Sequence, residues 1–372
     1  MATVKTSSKP IALGTSDWHA AEMAWQRHPT LRDDAFVALG AIYDLARQYN
    51  VTTVLGAGDL IDRPYPASAV VTSVIAALNK AGQDGIITYV IQGQHEWSRQ
   101  PWLLLSPYVR YVHQKSFSVG PIKAYGLDIL KAEQAVAEFT AVPSSADLLM
   151  THQVWTEFMG AKIGQASFMD VPHVRCVLTG DYHKHLSWVG EGKDGQPLTV
   201  LSPGSTCMQA IDEPEDKKIF LLYDDLTYCS LSLPCRRVYR VRLETADELE
   251  RWLAEEMESI RYQKGVPDSI ARPIVHVLYH PQITDVYKIL TSRIGDRGHV
   301  FLQPLVVKPV SFSVTADESE LRPIKRGLEG SLDNRCVVGS PTHQRARRLL
   351  ACADPAEEIL KLEKEFIAQK GD

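Results

Sequence analysis

Short, mainly apolar runs at residues 11–13, 52–55, 86–91, 147–150 and 176–179 each stop at a glycine or a polar residue, as buried strands do. Between the first three runs the periodicity changes. Phe36, Leu39, Ile42, Tyr43 and Ala46 recur at helical spacing, and so do Val70, Val74, Ile75 and Leu78. Alternating strand and helix signals predict helices packed on a sheet, an α/β architecture. Residues 219–223 and 228–233 predict two late strands, expected in a second sheet that completes a sandwich. Near Pro234 the pattern shifts, and a boundary is set there, with a first domain over 1–235.

A smaller α+β unit is expected over 236–308. Residues 238–243 alternate as a strand, and Thr245-Ala246-Asp247-Glu248 has capping-box spacing ahead of Leu249, Trp252, Leu253, Met257 and Ile260. A strand at 274–279, a helix at 283–294 and a strand at 300–307 follow. Residues 309–339 lack periodicity and read as a linker. In the tail, 340–372, Ser340-Pro341 and Asp354-Pro355 place capping residues before a proline at the first helical position. Leu349, Leu350, Ile359, Leu362, Phe366 and Ile367 then share one face, which either packs on this chain or docks a partner.

Composition adds bounds. At 372 residues, 45% hydrophobic and 23% charged, the chain has the make-up of a globular enzyme with room for more than one domain. No run approaches the ~18 apolar residues of a membrane span, and no signal-peptide pattern opens the chain, so a cytoplasmic protein without membrane attachment is expected. Six cysteines without CxxC spacing point to reduced thiols. A net charge of −5 and a pI near 6.2 exclude an overall basic footprint for nucleic acid.

The chemistry sits where the apolar runs end: Ser16-Asp17-Trp18-His19, Gly58-Asp59-Leu60-Ile61-Asp62, Gly93-Gln94-His95-Glu96, Thr151-His152 and Gly180-Asp181-Tyr182-His183. In layered α/β folds the carboxyl ends of strands converge on the ligand. Aspartate, histidine and an amide there form a set of donors for hard divalent cations. Hydrolysis of a phosphodiester asks for two cations about 3.5–4 Å apart, one carboxylate between them, and an imidazole off the metals to protonate the leaving oxygen. Asp59 is the candidate bridge.

In spacing and order these motifs resemble the calcineurin-like metallophosphoesterases, with their D-x-H, G-D-x-x-D, G-N-H-[DE], H and G-H-x-H pattern. Within that superfamily the chain looks most like the SbcD-type nucleases, through Gly58 to Pro64, Thr151-His152-Gln153 and Ser202-Pro203-Gly204-Ser205-Thr206. The resemblance implies an α/β/β/α two-sheet metallophosphoesterase sandwich, a smaller α+β capping, DNA-facing domain, and a C-terminal helical tail. It implies a first metal held by Asp17, His19, Asp59 and His183, and a second held by Asp59, Gln94, His152 and Asp181. His95 would be the general acid and transition-state stabiliser, and Arg63 and His185 are candidate substrate contacts. Gln94 stands where asparagine is expected and Asp181 where histidine is. Both keep a donor, and the second site is expected to prefer Mn²⁺ or Mg²⁺. The implied function is a nuclease using two Mn²⁺ (or Mg²⁺) in DNA repair, an exonuclease on duplex ends with 3′–5′ polarity and an endonuclease on single strands. Its implied partners are DNA, an SbcC-type SMC-like coiled-coil ATPase and a second copy of the chain, in a bacterial cytoplasm or a virus-infected cell. Two alternatives remain: a phosphoesterase of nucleotides or phosphoproteins, and a weakly active scaffold subunit.

Overall fold

A computed structural model describes residues 8–22, 33–98, 100–171 and 173–305, together with Gln344, Arg347 and Arg348. Apart from those three, which are helical, the linker expected at 309–339 and the tail at 340–372 lie outside the described residues. Residues 8–305 belong to one compact unit.

The chain begins as the apolar runs foretell. β1 (Pro10–Thr15), α1 (Asp34–Gln48), β2 (Thr53–Ala57), α2 (Ser68–Gln83), β3 (Ile87–Ile91) and β4 (Val109–Tyr111) build one sheet with two helices on its outer face. The second sheet follows from β5 (Lys115–Val119), β6 (Ile122–Leu127), α3 (Ala132–Thr140), β7 (Leu148–His152), α4 (Thr156–Met159), β8 (Cys176–Gly180), β9 (Leu186–Glu191) and β10 (Pro197–Ser202). β11 (Lys218–Tyr223) and β12 (Tyr228–Ser232) come next. The strand orders are β12-β11-β1-β2-β3-β4 and β5-β6-β7-β8-β10-β9. In the first sheet β1 to β4 run parallel, and β11 and β12 add antiparallel beside β1. In the second the central strands are parallel and both outer pairs antiparallel.

β11 and β12 complete the first sheet, beside β1, and not the second sheet as expected from the sequence. β11 is apolar on both faces. Ile219 and Leu221 pack with α1 and α2, while Phe220 and Leu222 enter the core between the sheets. Such a strand must be covered on both sides, and the position next to β1 supplies both covers.

Three apolar layers hold the sandwich. Leu55, Ile91, Met150, Leu178, Leu201 and Phe220 fill the space between the sheets. Leu39, Ile42, Val74 and Leu78 seal the helices to the first sheet, and Phe139, Trp155 and Phe168 cover the second. Among the described residues, no helix is long and apolar enough to cross a membrane.

β13 (Val238–Leu243), α5 (Ala246–Glu255), α6 (Asp268–Ala271), β14 (Ile274–Tyr279), α7 (Val286–Ile294) and β15 (His299–Pro304) form a third sheet, wholly parallel, with an apolar core of its own. Thr245 caps α5 as its spacing predicts, accepting from the Glu248 backbone at 3.2 Å. One buried ion pair ties this sheet to the sandwich. Arg236 donates to both oxygens of Asp34, at 2.6 and 3.0 Å, and to the Ser269 and Arg272 carbonyls. Replacing one partner strands the other charge in the interior. Arg236→Met is therefore expected to lower unfolding free energy by about 3–5 kcal/mol, read from the shift of a urea midpoint.

Candidate metal centre

The parallel register brings the strand ends level. Thr15 of β1 pairs with Gly56 of β2, Ala57 with Ile91 of β3, and His152 of β7 with Gly180 of β8. Residues just past those ends then meet at one edge of the sandwich. Two cross-links close it: the Asp17 N–H donates to the Gly58 carbonyl at 3.0 Å, and His152 Nδ1 donates to the Ala57 carbonyl at 2.8 Å.

The loops that carry the candidates are tightly wound. Asp17, His19, Asp59 and Asp181 have φ of 48°, 42°, 50° and 80°. Four of the nine non-glycine residues with positive φ among the described residues are thus candidate ligands, and strain of this kind gathers where function demands it. Two glycines in the ligand loops leave no room. A Cβ on Gly93 would lie 2.1 Å from Asp59 Oδ1, and one on Gly58, at φ 85°, would lie 2.4 Å from His152 Nδ1.

Three overlapping groups of ligand atoms result, each within 4.8 Å: Asp17–His19–His183, Asp17–Asp59–His152, and His19–Asp59–His95. In the first, Nε2 of His19 and Nε2 of His183 are 3.2 Å apart, and Asp17 Oδ1 lies 4.0 and 3.9 Å from them. In the second, Asp59 Oδ2 lies 3.3 Å from His152 Nε2. Asp17, His19, Asp59 and His152 are buried, yet Asp17 Oδ2, His19 Nδ1, Asp59 Oδ2 and His152 Nε2 have no hydrogen-bond partner. His19 Nδ1 lies 3.4 Å from Asp62 Oδ1. Buried polar atoms are ordinarily satisfied, so the other three orphans, on the residues of one ligand group, fit a bound cation.

The electrostatics agree. Burial by itself raises the Asp59 carboxyl, but His152 and His19 outweigh it and hold the group down to about 2. Burial opposes the His152 imidazolium, yet Asp59 and Asp17 push it up to about 10. Carboxylates gathered this closely call for positive charge among them. Glu96, in the same loop as His95, is pushed up to about 8 by burial and by Asp59, and its Oε2 accepts the Ile61 N–H at 2.9 Å. It anchors the loop that carries Asp59.

Gln94 and Asp181 meet each other. Gln94 Nε2 donates to Asp181 Oδ1 at 2.8 Å, and the Asp181 N–H donates to Asp17 Oδ1 at 3.1 Å. Asp181 falls in none of the three close groups; Asp17 takes that place beside Asp59 and His152. With its N–H₂ spent on Asp181, the Gln94 amide keeps its oxygen for a cation. Their effects are expected to be coupled. In a cycle of Gln94→Ala, Asp181→Ala and the double variant, calorimetric Mn²⁺ affinities should show an interaction of about 0.5–3 kcal/mol. Purely additive losses would mean that the two side chains act separately.

His95 is exposed at the rim. Its N–H donates to Asp59 Oδ1 at 2.8 Å, and its Nδ1 lies 3.2 Å from the Asp62 carbonyl. Arg63 is exposed, 3.5 Å from Asp62 Oδ2. Beside His19 a cleft of about 330 Å³ is lined by Ala20, Glu22, Asp62, Arg63, Tyr65 and Pro66. His185 is held away from the cluster: its Nδ1 faces the Pro203 carbonyl at 3.1 Å, its Nε2 the Ser230 hydroxyl at 2.7 Å, and its ring stacks on Phe220.

The sequence reading missed one residue. Glu213 Oε1 accepts from His183 Nδ1 at 2.7 Å. Burial opposes its ionisation, but His183 and Lys217 hold it down to about 2. No motif marks it, since it lies in a loop joined to His183 only by folding.

The site residues expected from the sequence, unlike Glu213, fall in one stretch with relatives elsewhere. Residues 12–185 match the model of the calcineurin-like phosphoesterase family. The match spans every candidate ligand from Asp17 to His183 and supports a metallophosphoesterase with a two-metal centre. A search of curated proteins found no match. Among solved structures, a dimetal phosphatase from Danio rerio is similar at 13% identity and a TM-score of 0.40, over 61% of this chain and 100% of that one.

Proposed function

We propose that this chain is a Mn²⁺-dependent phosphodiester hydrolase acting on DNA, an exonuclease on duplex ends and an endonuclease on single strands. Two ligand groups that share Asp17, one of them completed by Asp59 and His152 and the other by His19 and His183, carry the proposal. Support for DNA as the substrate comes from the SbcD-like motifs and from the third sheet appended to the sandwich, which hydrolysis of a small ester does not need. The same resemblance supports an SbcC-type ATPase and a second copy of the chain as partners.

Asp17, His19 and His183 would hold one cation, and Asp17, Asp59 and His152 the other. The family resemblance would add Asp59 to the first, and Asp181 and the Gln94 amide to the second. Bound there, divalent cations supply Lewis acidity that neutralises the phosphate and acidifies water. The remaining tasks fall to the chain itself. His152 spends its Nδ1 proton on Ala57, which leaves Nε2 free to ligate. Asp62, held below the usual carboxylate range by His19 and His95 against the opposing effect of burial, stays ionised behind both imidazoles. Exposed Arg63 offers a guanidinium to a phosphate entering the cleft. His95, at the rim, is placed to give a proton to the departing oxygen.

The test uses purified protein with Mn²⁺ on linear duplex DNA, on bis-p-nitrophenyl phosphate and on a phosphomonoester. Cleavage of the first two is expected. Hydrolysis of the monoester alone would eliminate the nuclease, and inertness on all three with DNA binding intact would favour a scaffold.

A further inference from the structure

Beyond the ligands themselves, one carboxylate gathers four donors. Glu213 Oε1 takes His183 Nδ1 at 2.7 Å, and Oε2 takes Lys217 Nζ at 2.7 Å, the Ser205 hydroxyl at 2.9 Å and the Gln209 N–H at 3.1 Å. Lys217 is buried and also donates to Ser205 at 2.6 Å. One oxygen is therefore fully occupied by fixed donors while the other is left to the imidazole. An imidazole pinned through Nδ1–H presents a bare Nε2, and Nε2 of His183 is the atom 3.2 Å from His19 and 3.9 Å from Asp17.

The loop bearing Glu213 is itself held from the third sheet. Arg240 of β13 donates to the Ile211 carbonyl at 3.0 and 3.2 Å and to the Glu213 carbonyl at 2.8 Å, and it pairs with Glu215 at 2.9 Å. On the other side, the Ser205 N–H donates to the His183 carbonyl and the Thr206 N–H to the Asp17 carbonyl, both at 3.2 Å. The Ser202-Pro203-Gly204-Ser205-Thr206 segment thus braces both ligands from behind.

We propose that Glu213 is a positioning residue: its carboxylate fixes the His183 ring with Nε2 turned toward Asp17 and His19, and Arg240 of the third sheet fixes the loop that carries it. This rests on reading Asp17, His19 and His183 as a cation site. The first metal site is then assembled jointly by the sandwich and the third sheet. Changes in the third sheet, through Arg240, reach a metal ligand without touching the cation.

The test is calorimetric titration of Mn²⁺ into the metal-stripped full chain. Glu213→Leu with Lys217→Met removes the carboxylate without leaving an unpaired buried ammonium. One of the two Mn²⁺ affinities should fall about 10–100-fold while the other stays within about threefold, with the metal-free Tm little changed. In the Mg²⁺-loaded protein, the slowly exchanging Nδ1–H signal of His183 should vanish in this variant. Arg240→Ala, at an exposed side chain, should weaken the same site, whereas Arg242→Ala, whose partner is Glu244, should not. Two ions bound by the wild type and unchanged affinities in both the double variant and Arg240→Ala would overturn the positioning role and leave the metal site standing. No ion bound by the wild type would overturn both. Should the double variant not fold, Arg240→Ala decides by the same titration.

Discussion

Asp59→Asn is expected to cut kcat/KM on bis-p-nitrophenyl phosphate by about a thousandfold or more, and to lower the number of Mn²⁺ ions bound. Asp59 belongs to two of the three ligand groups, and its two oxygens have different duties. Oδ1 accepts the His95 N–H at 2.8 Å, and Oδ2, without a hydrogen-bond partner, faces His152 Nε2 at 3.3 Å. In asparagine the amide oxygen would keep the His95 bond, because only an acceptor fits there. The N–H₂ would then take the place of Oδ2 and point a donor at the centre where cations are expected. Losing several kcal/mol of charge stabilisation, at about 1.36 kcal/mol per tenfold, gives a loss of that size. The variant is nearly isosteric, so the fold should survive, which circular dichroism and a melting curve would verify. A variant within tenfold of the wild type that still binds two ions would remove Asp59 from the bridging role.

The site was legible in the sequence because its chemistry is local to strand ends. A parallel strand buried on both faces shows as an apolar run, and the residue that follows it is the one delivered to the centre. For that reason Asp17, Asp59, His152 and His183 could be picked out with their strands, and β1, β2, β3, β7 and β8 fall within two residues of the runs that announce them. Pairing partners were harder. β11 reads as a buried strand from its residues, but its place beside β1 depends on which sheet has an open edge, and that is a property of the whole fold. Glu213 was invisible for a related reason. A carboxylate in a loop has no periodicity, and its bond to His183 spans thirty residues. The sequence reads Gln94 and Asp181 as two unusual ligands of one metal, and only folding shows them as hydrogen-bonded partners.

His95→Gln should separate proton transfer from metal binding. The His95 ring sits edge-on to His19, with centroids 4.7 Å apart, and it is exposed where His19 is buried. Nδ1 is occupied by the Asp62 carbonyl at 3.2 Å, so Nε2 is the nitrogen left for substrate. A group that protonates a leaving oxygen contributes about 10²–10⁴-fold. On DNA, where an alkoxide must leave, kcat for His95→Gln is expected to fall by about that factor. On bis-p-nitrophenyl phosphate, whose nitrophenolate departs without a proton, the fall should be less than about tenfold. Mn²⁺ stoichiometry and affinity should match the wild type, in contrast to Asp59→Asn. His95 also lies in a ligand group with His19 and Asp59, which allows a different outcome. Should one Mn²⁺ be lost and both substrates slow equally, His95 would be a ligand and the general acid must be sought elsewhere. An equal slowing with both ions retained would instead assign His95 to stabilising charge on the phosphate, since that contribution does not depend on the leaving group.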